Sequence, residues 1–478
     1  MFRVGKLENR RRGSWLSLIL FAVGLACLVC AEAAESRAAD GRYVAIDWVR
    51  RQKGASFFSD ANKAVAADAQ GNVYITGSAE SDTSTSDFLT IKYGPDGQKL
   101  WAKRYHSPGI DGNYAVSLAV NGQGSVWVTG YSVNNNPHWE VSSFITIKYD
   151  GDGQLLWEGF YDIPIPHGAN RPAAIVVDTQ GNAYVTGSSF GTFSTGRDYA
   201  TIKYNPDGEE LWIRRYNGPG NGDDDPSSII LDSQGNVYVT GNEEGVVDNS
   251  AIYTSATIKY SSDGEELWVR RYKRPSDQGY FPTALAADGQ GNVYITGSSQ
   301  VSTGNDYTTV KYTPEGHRLW VRSYHAPGSR WNDAQALAVD AQGNVYVTGD
   351  SGGSGTHQDF ATIKYNTEGK RLWVRRYNGP GNNDDYPHAL ALDNQGNVYV
   401  TGSSVGVNFN FDFATIKYTP DGRRLWVRRY ASTGDGSDSP RSIAVDAQSN
   451  VIVTGYSTKT QGSLTDVDFL TIKFKQTP

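Results

Sequence analysis

Residues 395–402 read Gln-Gly-Asn-Val-Tyr-Val-Thr-Gly, and close variants of this stretch return seven more times. The closing glycines are Gly77, Gly130, Gly187, Gly241, Gly297, Gly349, Gly402 and Gly455, spaced 52 to 57 residues apart. A period this regular is one supersecondary unit copied and stacked. Length alone would suggest roughly three domains for 478 residues. The period overrules that, because every copy belongs to one array.

Working outward from Gly402, the same unit holds four short strands. His388–Asp393 alternates small and apolar residues, and the turn Asn394-Gln395-Gly396-Asn397 leads into Val398–Thr401. Asp412–Tyr418 alternates again, and Thr419-Pro420-Asp421-Gly422 turns the chain into Leu425-Trp426-Val427-Arg428-Arg429-Tyr430. Runs rich in β-branched and aromatic residues, bounded by Gly, Pro, Asn and Asp, read as strands. No amphipathic helical period follows the N-terminal segment. The hydrophobic fraction is 38%, with 29 Tyr and 12 Trp, which suits many thin strands packed by large flat side chains.

Four antiparallel strands copied eight times predict an all-β fold, an eight-bladed β-propeller. Small side chains place the first strand of each unit innermost. Arginine pairs such as Arg214-Arg215 and Arg375-Arg376 place the fourth outermost, where charge protects an open edge. The eighth unit lacks its fourth strand, because the chain stops at Pro478 soon after Thr471-Ile472-Lys473-Phe474. The missing segment stands at the other end as Ile46-Asp47-Trp48-Val49-Arg50-Arg51. The N-terminal strand, residues 43–51, is therefore expected to complete the last blade and close the ring.

Residues 1–39 read as a signal peptide and short linker, and residues 40–478 as a single propeller domain. Arg3, Lys6 and Arg10-Arg11-Arg12 precede an apolar run from Trp15 to Cys30, followed by small residues around Ala31-Glu32-Ala33. The run is shorter than a comfortable membrane span of roughly 20 apolar residues. An exported protein without a membrane span in its mature chain is expected, periplasmic, at the cell surface or secreted. Both cysteines, Cys27 and Cys30, fall in this segment, so disulfides and thiol chemistry are not expected. Loss of residues 1–33 removes five basic and two acidic side chains, moving the formal charge from −7 to −10. An acidic body argues against nucleic acid as a partner.

The segment D-x-Q-G-N-x-Y-V-T-G, the strand Asp359-Phe360-Ala361-Thr362-Ile363-Lys364-Tyr365 and the following D-G turn resemble the bacterial SBBP ("seven-bladed β-propeller") repeat family over residues 43–478. The resemblance implies an exported or surface protein and brings no catalytic residues. The family name implies seven blades where this chain counts eight. A second likeness is to the tryptophan-docking spacing of eight-bladed quinoproteins, carried by Gly97 and Trp101. That motif has Ala and Asp where Ile91 and Tyr93 stand here, and the spacing is expected to report packing between blades.

Positions recurring in every unit cannot define one site. Lysines such as Lys364 are expected to pair or snorkel at blade surfaces. The aspartates opening the third strand, such as Asp87 and Asp412, are expected to satisfy turn donors. The Gly residues of the QGN and PDG turns are expected to supply positive φ. Function is expected where the repeat is broken, on the face carrying the long connections. The candidate binding face comprises Asn134, His138, Trp139, Tyr253, Trp331, Phe409 and Phe411. Six histidines, His106, His138, His167, His325, His357 and His388, are assigned to that face without metal-ligand spacing.

No cofactor is expected. Calcium is the one open alternative, on Asp223-Asp224-Asp225 and Asp384-Asp385, although neither forms a calcium loop and both read as solvated turns. Asp150-Gly151-Asp152-Gly153 reads as a longer turn. The expected function is a non-enzymatic, monomeric binding or scaffolding module for a protein or polysaccharide at the bacterial envelope. The alternative is a quinoprotein-like dehydrogenase using the propeller channel. A sialidase fares worse, because Ser262-Asp263-Gly264 lacks the spacer of that family's box.

Overall fold

The computed structural model describes residues 44–476 apart from 54–60, 82–84, 109, 137–138, 163–167, 193–194, 248–249, 354–355, 433–435 and 462–463. The segment assigned to a signal peptide lies outside the described residues. Among these residues there are thirty-two strands and no helix. No described helix is therefore long and apolar enough to cross a membrane.

In the seventh repeat, Asp385–Leu392, Val398–Val405, Phe411–Tyr418 and Arg424–Tyr430 form an antiparallel four-stranded sheet in chain order. Three other sheets have four strands. Two have eight, each being two such groups joined through a single parallel pair, Ser86 with Gly112 or Tyr253 with Gly279. The N-terminal strand Val44–Lys53 pairs with Leu464–Gln476, two residues beyond the expected end of the segment.

The first hairpin explains the repeated octapeptide. Asp393 accepts from Gln395 N (2.9 Å) and Asn397 N (2.9 Å) through one oxygen. The other oxygen takes Asn397 Nδ2 (2.7 Å) and Tyr399 OH (2.8 Å). One carboxylate thus saturates the turn donors, and Gly396 supplies the required φ of +75°. The turn at Asp150 has the same bonds as its counterparts, Asp150 N to Gln154 O (2.9 Å) and Gly153 N to Asp150 O (3.1 Å). The expectation of a longer turn there is corrected.

Neighbouring repeats are clipped by the tryptophan of the fourth strand, in seven of the eight repeats through its Nε1–H. Trp373 is 8% exposed, and its Nε1–H donates to Pro420 O of the next repeat (3.1 Å). Its indole lies against Gly422, where φ is +84° and a Cβ would come within 2.8 Å of the ring. Lys364 Nζ donates to the same carbonyl (3.0 Å) and sits 4.8 Å from the Tyr346 ring centre. Burial lowers its pKa, and Asp340 partly offsets that. The repeated lysines are therefore buried or half-buried between units and do not snorkel at the surface. Trp48 makes the same clip from the eighth repeat to the first, with Nε1–H to Pro95 O at 3.1 Å.

The arginine pairs have two jobs, neither being a free charge at an edge. Arg375 Nε donates to Gly422 O of the next repeat (2.5 Å). Arg376 binds Asp359 within its own repeat (2.9 Å). Arg215 and Arg429 likewise bind Asp198 (2.6 Å) and Asp412 (2.7 Å). The aspartates opening the third strand thus answer arginines, a correction to their assignment as turn acceptors. The charge they carry would be costly in a half-buried site without that partner.

Each first strand packs against the first strand of the next repeat, and Ala61–Ala67 also packs against Asp438–Val445. Trp48, Ile452 and Phe469 share one apolar cluster with Val73, Ile75 and Ile91.

Candidate functional site

The closing glycine of the octapeptide shapes the centre of each sheet. A Cβ on Gly402 would stand 2.1 Å from Tyr386 O and 2.4 Å from Pro387 Cα. Gly349 and Gly455 meet Asp333 O (2.0 Å) and Ser439 O (2.1 Å) in the same way. Only glycine permits so close an approach, and the first strand answers with a β-bulge.

The bulge falls just after the residue paired with that glycine. It lies between Pro387 and Ala389, for example, or between Pro440 and Ser442. The extra residue is, repeat by repeat, Lys63, Val116, Ala173, Ser227, Thr283, Gln335, His388 and Arg441. In a chain that copies itself eight times, this position never repeats a residue type. Bulges re-aim a side chain and are common beside functional sites.

Polar contacts surround these residues in two groups, the fifth with the sixth repeat and the seventh with the eighth. Thr283 Oγ1 donates to Ala334 O (2.9 Å), beside Gln335. Gln335 reaches Asp350 Oδ1 (3.5 Å), and Asp350 lies cross-strand from Asp333. Burial, then the Asp333 charge, pushes Asp350 up to about 7. His388 Nε2 is hydrogen-bonded to Ser403 Oγ (3.1 Å), and Ser403 to Ser439 Oγ (2.8 Å). Burial, then the Arg441 charge, pushes His388 down to about 4, so its imidazole is neutral at pH 7. Arg441 Nη2 donates to Tyr456 OH (3.3 Å) and its guanidinium carbon is 5.3 Å from that ring's centre. Two repeats past the chain ends, Arg171 lies 5.1 Å from the Tyr131 ring, which stacks on Tyr114 at 5.1 Å.

His388 thus sits at a strand bulge, which corrects its assignment to the long-connection face. The other described histidines are separate. His106 and His325 pair with Asp87 (2.9 Å) and Asp306 (2.8 Å), and His357 stands 3.8 Å from Asp384. Among the described residues no group of three His, Cys, Asp or Glu is placed to hold a metal.

Antiparallel pairing puts the second-to-third hairpins and the fourth-to-first connections at the same end of each sheet. Trp331 is 54% exposed there, and its backbone is pinned. Trp331 O accepts from Ser329 Oγ (2.8 Å) and Gly352 N (3.1 Å). With Arg330, Gln300 and Val301 it lines an open cleft of about 440 Å³. Phe409 is 75% exposed, at φ +64° in a turn closed by Phe409 N to Gly406 O (3.0 Å). Tyr253 packs on Phe281 (5.2 Å) and Phe411 on Tyr386 (6.0 Å), so both are half-buried. Asn134 is exposed on the strand Val126–Asn136. Trp139 opens the next strand, while its side chain and His138 lie outside the described residues.

The acidic runs are built in, which corrects their assignment as solvated turns. Asp224 is fully buried, takes Gly218 N (2.5 Å), and is pushed up to about 7, chiefly by burial. Asp223 and Asp225 both bind Arg197 (3.0 Å each). Asp385 takes Gly379 N (2.6 Å) in the same manner as Asp224.

Three stretches, residues 211–242, 268–303 and 372–410, match the model of the SBBP beta-propeller repeat. The chain carries SBBP β-propeller repeats. Each matched stretch runs from a fourth strand through the next repeat's bulged first strand and past the closing glycine of its second. An SBBP repeat so delimited contains the docking Trp, the bulge and the closing glycine together. An uncharacterized WD repeat-containing protein of Acanthamoeba polyphaga mimivirus is 23% identical over 453 residues. That match covers 77% of this chain and 31% of the viral protein. The β-propeller domain of the Trilobed protease from Pyrococcus furiosus is 8% identical, covering 79% of this chain and 99% of that one, with a TM-score of 0.43. A luciferin-regenerating enzyme is 13% identical, covering 63% and 90%, with a TM-score of 0.33.

Proposed function

We propose that the SBBP repeats form a closed eight-bladed propeller, exported to the bacterial envelope, that acts as a binding module without catalysis. Closure is supported by the pairing of Val44–Lys53 with Leu464–Gln476 and by the packing of Ala61–Ala67 against Asp438–Val445. The first strands then line a central channel. Of the two partner classes, polysaccharide is favoured over protein.

The observation that carries this reading is Trp331. It is a large, exposed aromatic ring beside a cleft, on a backbone fixed by hydrogen bonds. A tryptophan offers a flat apolar surface to a sugar ring, and its two side-chain torsions keep the entropic cost small. No cofactor enters this reading, because packing between repeats already accounts for the tryptophan docking that resembles quinoproteins.

Electrophoresis of the protein through gels loaded with neutral or acidic polysaccharides tests it. Retardation by at least one polysaccharide is expected, with Trp331→Ala weakening it about tenfold and leaving the unfolding midpoint in place. A wild-type protein retarded by none of them, or a Trp331→Ala variant retarded equally, would overturn the polysaccharide reading. Fractionation of cells expressing the full chain tests export, and recovery from the cytoplasm alone would contradict it.

A further inference from the structure

The geometry points to a specific ligand position inside the channel: the bulge residues form a collar that binds an acidic sugar, with Arg441 and Lys63 taking its carboxylate. This rests on the closed propeller and polysaccharide reading above, and assigns the ligand class to a site distinct from Trp331.

The closing glycine and the bulge recur in all eight repeats, while the residue at the bulge differs in every one. A scaffold position has no reason to vary from Lys through Val, Ser and Gln to His and Arg when the backbone around it stays constant. The variation is also ordered. Strand Asp438–Val445 packs on Ala61–Ala67, and Ser442 Oγ accepts from Val65 N (3.3 Å). Arg441 and Lys63, each one residue before an equivalent bulge exit, therefore occupy adjoining positions of the collar. Both are exposed.

Two residues before the bulge the charge is mixed, with Arg171, Asp225 and Asp333 in the third, fourth and sixth repeats. At the bulge itself, His388 sits between Gln335 and Arg441 in chain order, with Ser403 and Ser439 beside it. The rest of the collar offers neutral hydrogen-bonding groups, Ser227, Thr283 and Gln335, and two apolar ones, Val116 and Ala173. One cationic sector, Arg441 with Lys63, beside neutral hydrogen-bonding groups matches a ligand with one carboxylate and several hydroxyls. A uronic sugar has that composition. Tyr456 steadies the Arg441 guanidinium from its ring and hydroxyl, so less side-chain freedom is lost on binding.

The test is calorimetric titration of the full chain with galacturonate and with its methyl ester, which keeps the ring and loses the charge. Galacturonate should bind at least about tenfold tighter than the ester, with affinity falling as salt rises. Arg441→Gln and Lys63→Gln should each remove most of that preference without moving the unfolding midpoint, while Arg441→Lys should retain part of it. Equal affinity for acid and ester overturns the inference, and so do Gln variants that bind like wild type. Displacement by inorganic sulfate at matched ionic strength would mark a bare anion site and overturn the sugar assignment. If galacturonate fails to bind while neutral polysaccharide is still retained through Trp331, the collar falls and the binding function stands. Loss of both removes the two together.

Discussion

Gly402 and Gly422 are both required, for different physical reasons. Gly422 needs a positive φ and a bare face for Trp373. Gly402 needs no unusual φ, but its missing Cβ is the space into which the Tyr386 carbonyl fits. Gly402→Ala should therefore cost about 1–3 kcal/mol or more, the range for forcing atoms into a packed interior. Gly289→Ala is the matched control, since a Cβ there meets nothing within 4 Å. Urea titrations should separate the two variants clearly. Equal midpoints would show that the first strand can retreat from its bulge without loss. The signal for this was in the sequence, because a glycine repeating inside a strand pattern marks a bulge or close backbone contact. Read only as the end of the octapeptide, it places His388 among loop histidines and leaves the bulge positions unmarked.

Within the sheets, the inner hairpins hold titratable groups whose shifts oppose each other. Asp350 is raised from 3.8 to about 7. Between those values the folded chain keeps a proton that the unfolded chain has released, so stability falls as pH rises through that window. Asp224 acts in the same direction. His388 is lowered from 6.5 to about 4, so the unfolded chain binds the extra proton in that window. Its contribution therefore rises with pH. Denaturant midpoints followed from about pH 4 to 7 should become steeper upward in Asp350→Asn and steeper downward in His388→Gln. Slopes unchanged from wild type in both variants would mean that neither group is shifted in the fold. The four-strand pattern of each repeat was legible because Gly, Asn and Asp punctuate it. The partners of its charges were not. Asp359 and Arg376 are 17 residues apart and meet only because the third and fourth strands pair in one register.

At the scale of the whole molecule, the joint between the chain ends carries the greatest leverage. Trp48 is 5% exposed and joins the clusters of the first and eighth repeats. Trp48→Ala should cost about 3–5 kcal/mol, as for large aromatic truncations in cores. Removing residues through 53 should expose Leu464–Gln476 as an unpaired edge and produce aggregation. A peptide of residues 44–53 added in trans should suppress it, as read by light scattering. A truncated protein that stays monodisperse and unfolds like the full chain would rule out a closing strand.

The sequence by itself determined the repeat, its strands and turns, and the partnership between the two ends. Those properties follow from local periodicity and from counting copies. Only the tertiary structure decided what the repeated lysines, arginines and aspartates touch, because each partner lies in another strand or another repeat. It also decided which non-repeating residues come together. Lys63 and Arg441 are separated by nearly the whole chain, and only the packing of the first strand on the last repeat makes them neighbours.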